Sequence, residues 1–453
     1  MRVIMTGATG QIGIPLARQL VNEGHDVVCW TRNPKRVQGR LPAKCTVVAW
    51  DPNAVKPEDL AGADALIHLA GENIADGRWS EKRKQQIRQS RTDSTKSLVK
   101  AIGQLDSASR PKHFIGASAI GYYGDRGNTL LDEAAAPGDG FLAEVCAAWE
   151  QETSALDALG VRVALARIGV VLERNRGMLE PILPLFQMGI AGRLGSGRQW
   201  MSWIHVDDVV ALLLHLLKSP SLHGVWNAVA PEPVTNREFT SALAKALNRP
   251  AILPVPRPML YAVYGELASL MFASVKADAT AIVQSGFSFK YPDIMSALSQ
   301  VTSSDESVLI REQRFPRSRE DVFSFFGDPR NLEKITPDFL NFAITELPDG
   351  ALQEGSIIRY KLQLHGIPLR WTTRISDWTE NESFVDEQTS GPYALWHHTH
   401  HFEDDGEGTL MTDVVRYRLP VGAVATLLAG SFIKKDLDRI FSYRFDTMSR
   451  WLA

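Results

Sequence analysis

The first thirteen residues, MRVIMTGATGQIG (Met1 to Gly13), decide the fold. Val3, Ile4 and Met5 make a short apolar strand that runs straight into glycines at positions 7, 10 and 13. Small residues at such a corner let backbone approach a pyrophosphate. Ile12, Leu16 and Leu20 then predict a helix from Ile12 to about Glu23, whose positive N-terminus points at the same place. The expected ligand is a dinucleotide, held along Gly7, Ala8, Thr9, Gly10, Gln11, Ile12 and Gly13.

Further along, DVVCWT (Asp26 to Thr31) reads as a buried strand ending in Arg32, Asn33, Pro34, Lys35 and Arg36. An acid at this position would favour the ribose 2′-hydroxyl of NAD, whereas an arginine can fork onto a 2′-phosphate. Arg32 therefore predicts NADP(H) as cofactor, with Thr31 and Asn33 as further contacts. Val47 to Trp50 makes a third strand, with Asp51 near the adenine, and Ala65 to Leu69 a fourth, entering HLAGENI, where Leu69, Ala70 and Gly71 pass the ribose. A basic helix over Trp79 to Gln104 precedes a fifth strand, His113 to Ala117, which delivers Ser118 at its carboxyl end. Strands alternating with helices give an α/β, Rossmann-type, doubly wound parallel sheet.

From Ser118 the chain continues SAIGYYGD, then a helix from about Gly140 to Leu159 containing FLAEVCAAWE. With the glycine turn, RIGVVL (Arg167 to Leu172), GRLGSGRQWMSWIHVDD (Gly192 to Asp208) and NAVAPEPVTN (Asn227 to Asn236), residues 1 to about 300 resemble the extended short-chain dehydrogenase/reductases, in the atypical epimerase-like group of the NAD-dependent epimerase/dehydratase superfamily. That resemblance implies cofactor contacts from Ala117 and Arg167, and a substrate pocket bordered by Arg198, Trp200 and His205. Asp207 and Asp208 read as acids at a helix N-terminus, favoured there by capping and dipole. The usual Tyr-x-x-x-Lys pair, in which lysine tunes a tyrosine for proton transfer, is absent. Registered on Glu150, its positions fall on Leu142 and Cys146, or on Phe141 and Val145. Ser118, Tyr122 and Tyr123 are the nearest hydroxyls to replace it as catalytic groups.

A polar stretch, Thr302 to Ser307, reads as a linker between a first domain over 1–301 and a second over 308–453. Alternating strands at Ile357 to Leu364, Trp371 to Trp378 and Thr409 to Arg418 precede a long helix from about Val421 to Leu452. Its apolar stripe runs through Val424, Leu428, Phe432, Leu437, Ile440, Phe441, Phe445, Met448 and Leu452. With a short helix near Glu320 to Phe326 in FPRSREDVFSFFGDPRNLEKITP, this order resembles the START-like, polyketide-cyclase-like α+β helix-grip fold. The resemblance implies an apolar ligand. In WHHTHHF (Trp396 to Phe402) strand alternation puts Trp396, His398, His400 and Phe402 on one, inward face. Without an evident third ligand, pairing with acids such as Asp386 or Asp413 is expected in preference to a metal site.

Over 453 residues the charge balance is −3, which recommends neither nucleic acid nor an anionic membrane and leaves small-molecule substrates as partners. Three separated cysteines, Cys29, Cys45 and Cys146, offer no disulfide framework. A strand beginning within two residues of Met1 and the lack of a long apolar run predict a cytoplasmic protein; a homodimer is allowed. Three functions stay open: an NADP-dependent oxidoreductase or epimerase, a non-catalytic NADP-binding sensor or carrier, and a nucleotide-sugar epimerase.

Overall fold

A computed structural model describes the chain apart from residues 38, 175, 349, 407, 421–422 and 453; the side chains of 36, 423–429 and 431 also lie outside the description. Arg36, Val424 and Leu428, read above from the sequence, fall in that last set. The chain divides into two units, Met1–Pro34 with Lys44–Ser303, and Lys35–Ala43 with Ser304–Ala453. Lys35–Ala43, expected in the first domain, falls in the second unit, and the stretch expected as a linker, Thr302 to Ser307, is divided between the two at Ser303 and Ser304. Lys35–Ala43 belongs with the second unit because Gly39 O accepts from Glu312 N (3.0 Å) and Glu312 Oε2 accepts from Ala43 N (3.0 Å).

In the first unit seven strands form one sheet: β1 (Arg2–Thr6), β2 (Asp26–Thr31), β3 (Thr46–Ala49), β4 (Ala65–His68), β5 (His113–Ala119), β6 (Arg162–Ile168) and β7 (Gly224–Ala228). Every pairing is parallel, in the order β7-β6-β5-β4-β1-β2-β3. Continuous apolar runs suit strands covered on both faces, and Val3, Met5, Val27, Ala65, Leu66 and Ile67 are all completely buried. Covering helices include α1 (Gly13–Asn22), α2 (Glu81–Gln104), α3 (Phe141–Gln151) and α4 (Val206–Lys218). The strand order reverses between β1 and β4, and ligands of open α/β sheets bind in the crevice at such a point.

One expected helix is shorter than the sequence suggests. The Gly140 to Leu159 segment breaks after Gln151 and resumes at Ala155. Later in the chain comes a helix over Arg257–Tyr264 followed by a 3₁₀ segment, because Gly265 takes φ +61° and ends the first.

In the second unit β8 (Ser307–Phe315), β9 (Ala343–Glu346), β10 (Ile357–Leu364), β11 (Ile367–Thr379), β12 (Ser383–Ser390), β13 (Leu395–Asp404) and β14 (Thr409–Arg418) make an antiparallel sheet, ordered β8-β14-β13-β12-β11-β10-β9. Two helices matter here, α5 (Arg319–Gly327) and α6 (Ala423–Trp451). Ser318 caps α5 by accepting from Asp321 N (3.2 Å), and Val322, Phe323 and Phe326 bury against Phe384, Phe402 and Met411. On α6 Leu437, Phe441, Met448 and Leu452 are buried as expected, but Phe432 is 65% exposed, so the stripe stops short of it. A cavity of about 430 Å³ remains, lined by Trp371, Trp396, His398 and His400 among mainly apolar neighbours.

Candidate functional site

The glycine turn connects β1 to α1 at the crevice. Gly7 has φ +70°, and a Cβ there would lie 2.6 Å from the Leu69 carbonyl carbon and 2.8 Å from Ala70 N. A Cβ on Gly13 would overlap the Gly7 carbonyl. These two glycines are thus required first by the protein's own backbone, which corrects the simple view that all three clear space for a ligand. Gly10 differs: its nearest neighbour is Gly7 O at 3.3 Å. Thr6 fixes the facing strand, since its hydroxyl accepts from Ala70 N (3.3 Å) and lies 2.7 Å from His68 Nδ1.

These residues fit a dinucleotide on two counts. No side chain caps α1, and its first turn carries no acid, so its positive end is left for an anion. Beside it Gln11 Nε2 is buried without a hydrogen-bond partner, a donor that a phosphate oxygen would satisfy. Arg176, which the sequence reading missed, brings Nη1 to 3.3 Å from the Gly10 carbonyl. Only the fold brings it there from so far along the chain.

At the end of β2, Arg32 is 71% exposed and its Nη1 lies 2.9 Å from Glu72 Oε1. Arg83 Nη1 is 3.2 Å from the other oxygen. Burial alone would raise the Glu72 carboxyl, but these two guanidinium partners outweigh it and hold it below its ordinary range. Glu72, next to Gly71 in HLAGENI, is a second residue missed from sequence. Thr31 Oγ1 accepts from Asn33 N (3.3 Å), and Asp51 is exposed, accepting from Asn53 N (2.9 Å). Ala117 is half-buried on β5.

The expected catalytic hydroxyls separate. Ser118, 3% exposed, donates to Glu150 Oε1 at 2.6 Å. Tyr123 is fully buried; its hydroxyl donates to Asn227 Oδ1 (2.6 Å) and accepts from Arg167 Nη1 (3.0 Å). Burial pushes the Tyr123 phenol up, although Arg167 opposes it. Both residues are therefore parts of a buried network and not free proton donors. Arg167 needs the same correction: Nε and Nη2 bind Glu150 (2.9 and 2.8 Å), and Nη1 also donates to Glu133 O (3.1 Å), so every nitrogen is spent inside the protein instead of on a cofactor. Tyr122 stays half-exposed, with the Arg167 guanidinium 3.5 Å from its ring centroid. Cys146, at one position of the missing dyad, is buried, and desolvation pushes its thiol up to about 12.

His205 is also structural. Its Nδ1 accepts from Asp207 N (3.1 Å) to cap α4, Nε2 lies 2.9 Å from Gln300 Oε1, and the ring packs on Tyr291 at 4.1 Å. That arrangement fixes the neutral Nε2–H tautomer, and burial lowers its pKa. Asp208 is buried and accepts from Lys290 N (2.7 Å) and Tyr291 N (3.0 Å). Trp200 is half-buried, with Nε1 donating to Asn128 (2.9 Å), and Arg198 is exposed.

In the second unit the histidines sit as the alternation predicts. His398 and His400 are 2% and 3% exposed, and each lies within 3.2 Å of both Asp386 and Asp413. Burial would lower His398, yet the two carboxylates outweigh it and raise it to about 8.

A seven-stranded parallel sheet with a glycine turn at its switch point defines a Rossmann-type dinucleotide-binding protein. Comparison with known proteins narrows the class: the profile of the NAD dependent epimerase/dehydratase family matches residues 3–228, and a domain of unknown function (DUF1731) matches 255–301. An epimerase family protein of Mycobacterium bovis is 39% identical over 304 residues, 66% of this chain and 97% of its own. Human epimerase family protein SDR39U1 is 33% identical over 67% of this chain and all of its own. Its crystal structure with NADPH superposes with a TM-score of 0.58 at 30% identity, covering 67% of this chain and 100% of that one. A nucleoside-diphosphate sugar epimerase from Corynebacterium glutamicum gives 0.54 at 33% identity, covering 67% and 59%. The chain belongs to the NAD dependent epimerase/dehydratase family.

Proposed function

We propose that the first unit binds NADP(H) and acts as an oxidoreductase or epimerase-like enzyme on a small molecule, and that the second is a START-like unit holding an apolar ligand. The observation that carries the first part is the glycine turn packed on Leu69 and Ala70 at the β1/β4 reversal, beneath a helix end with no cap. In this reading Gly10 and the α1 amides hold the pyrophosphate, Gln11 and Arg176 flank it, and Arg32 leaves Glu72 for the 2′-phosphate. The NADPH named with the human relative's structure supports the choice of cofactor. When bound, the nicotinamide supplies or accepts the hydride. Tyr122 is the hydroxyl left to move the accompanying proton, its ring held by the Arg167 guanidinium 3.5 Å from the centroid.

One observation favours a second reading, a sensor or carrier that binds NADP(H) without turnover: Ser118 is committed to Glu150, and no lysine stands at either dyad register. Titrating the purified full chain with NADPH and NADH, then screening NADPH oxidation against carbonyl compounds, tests both. Saturable, NADPH-preferring binding supports the common part, and turnover lost in Tyr122→Phe selects the enzyme.

A further inference from the structure

We propose that Asp386, His398 and His400 form a divalent transition-metal site in the cavity wall of the second unit, with Asp413 behind them as the carboxylate that orients His398. The sequence alone suggests a metal-free cluster, because two histidines at i and i+2 lack a third ligand. The sheet supplies it. Asp386 on β12 lies directly opposite His398 on β13, and Asp413 on β14 directly opposite His400, so the four side chains share one face.

Asp386 Oδ2 lies 3.2 Å from His398 Nδ1 and 3.0 Å from His400 Nε2. The ligand atoms of these three residues all fall within 4.8 Å of one another. Ligands about 2.0–2.1 Å from a tetrahedral zinc ion are separated by roughly 3.3 Å, so two of the edges already have nearly the required length. The opposite nitrogens, His398 Nε2 and His400 Nδ1, lie 3.0 and 2.8 Å from the same Asp413 oxygen. Of the two, His398 Nε2 is hydrogen-bonded to Asp413, the arrangement that fixes tautomer and ring orientation of a ligating imidazole in metal sites.

His400 Nδ1 is buried and has no hydrogen-bond partner, even though Asp413 is 2.8 Å away, because their directions do not match. Asp386, His398 and His400 line the cavity of about 430 Å³, and Asp413 is not part of that wall. An ion held by two imidazoles and one carboxylate therefore keeps open positions facing an apolar space. Such a site takes an apolar ligand bearing an oxygen donor, a carbonyl or a carboxylate. The donor set suits zinc or ferrous iron rather than magnesium or calcium.

The test uses the full chain, stripped with chelator and titrated with Zn(II) by calorimetry and with Co(II) by visible absorption. One ion per chain, with a Co(II) d–d spectrum and no thiolate charge-transfer band, is expected. Asp386→Asn and His400→Gln should each lose the spectrum, and Asp413→Asn should weaken binding 10- to 100-fold at unchanged stoichiometry. Folded wild-type chain that takes up neither ion overturns the proposal. So does uptake that persists undiminished in Asp386→Asn with His400→Gln, since it would place the ion on other residues. If either variant does not fold, the wild-type spectrum decides: a thiolate band, or no d–d band, counts against the site.

Discussion

Ser118 donates its hydroxyl to Glu150 across 2.6 Å, and Glu150 in turn holds Arg167 through both of its oxygens. A serine at the end of β5, where catalysis is expected, is thereby tied to a buried ion pair. Removing the carboxylate strands a guanidinium that is 3% exposed. Glu150→Ala should destabilise the first unit by about 3–5 kcal/mol. Ser118→Ala loses only one hydrogen bond to a charged group and should cost about 1.5–3 kcal/mol. Chemical denaturation of both variants checks the order.

Tyr122 and Tyr123 should behave oppositely when changed to phenylalanine. Tyr123→Phe leaves Asn227 Oδ1 and Arg167 Nη1 short of a partner in a dry interior, at a cost of about 1–3 kcal/mol. Tyr122→Phe should leave stability unchanged and lower any NADPH-dependent turnover at least tenfold, with NADPH affinity intact. Equal turnover in wild type and Tyr122→Phe would remove the last hydroxyl candidate.

His68 gives the first unit an acid limb. Burial, with some help from Arg91, lowers its pKa from the ordinary 6.5 to about 3. Between those values the unfolded chain binds the proton and the folded chain does not, so stability rises with pH. Its full contribution is present above about 6.5 and declines as pH falls toward about 3, by about 5 kcal/mol. Unfolding midpoints of wild type and His68→Asn, followed from pH 7 to 4, should converge on acidification. Parallel curves would show that His68 titrates alike in the folded and the unfolded chain.

The cavity of the second unit should accept an apolar probe. Trp371 and Trp396, whose rings meet at 5.2 Å on its wall, report occupancy by fluorescence. Anilinonaphthalene sulfonate should quench them saturably, and Leu362→Trp with Leu369→Trp, filling the same space, should weaken that binding tenfold or more. Unaltered affinity in the filled variant would place the probe elsewhere.

Much of the architecture is written in local pattern. The strands Asp26–Thr31 and Thr409–Arg418 follow from apolar runs and alternation, and the inward face of His398 and His400 from a period of two. What local pattern lacks is the partner. Ser118 looks like a site residue because it stands at a strand end, Tyr123 because it is among the nearest hydroxyls, and Arg167 and His205 because the family resemblance implies it. Their actual partners, Glu150, Asn227 and Gln300, lie 17 to 104 residues away. The reverse holds for Asp386, whose place beside His398 depends on strand pairing. Glu72 was legible as a neighbour of Gly71, but its grip on Arg32 spans 40 positions.

The central claim is that the Gly7–Gly13 turn holds a dinucleotide and that Arg32 selects its 2′-phosphate. Gly10 is the turn glycine whose Cβ would meet the least, Gly7 O at 3.3 Å, so Gly10→Val disturbs the turn's packing least of the three, and its folding is checked by circular dichroism beside the titration. Calorimetric titration of wild type, Gly10→Val and Arg32→Ala with NADPH and NADH is the direct measurement. The account predicts NADPH-preferring binding in wild type, no measurable binding to folded Gly10→Val, and a preference narrowed roughly 10- to 100-fold in Arg32→Ala, matching about 1.5–3 kcal/mol. Undiminished NADPH binding by Gly10→Val, or equal loss of both cofactors in Arg32→Ala, would contradict it.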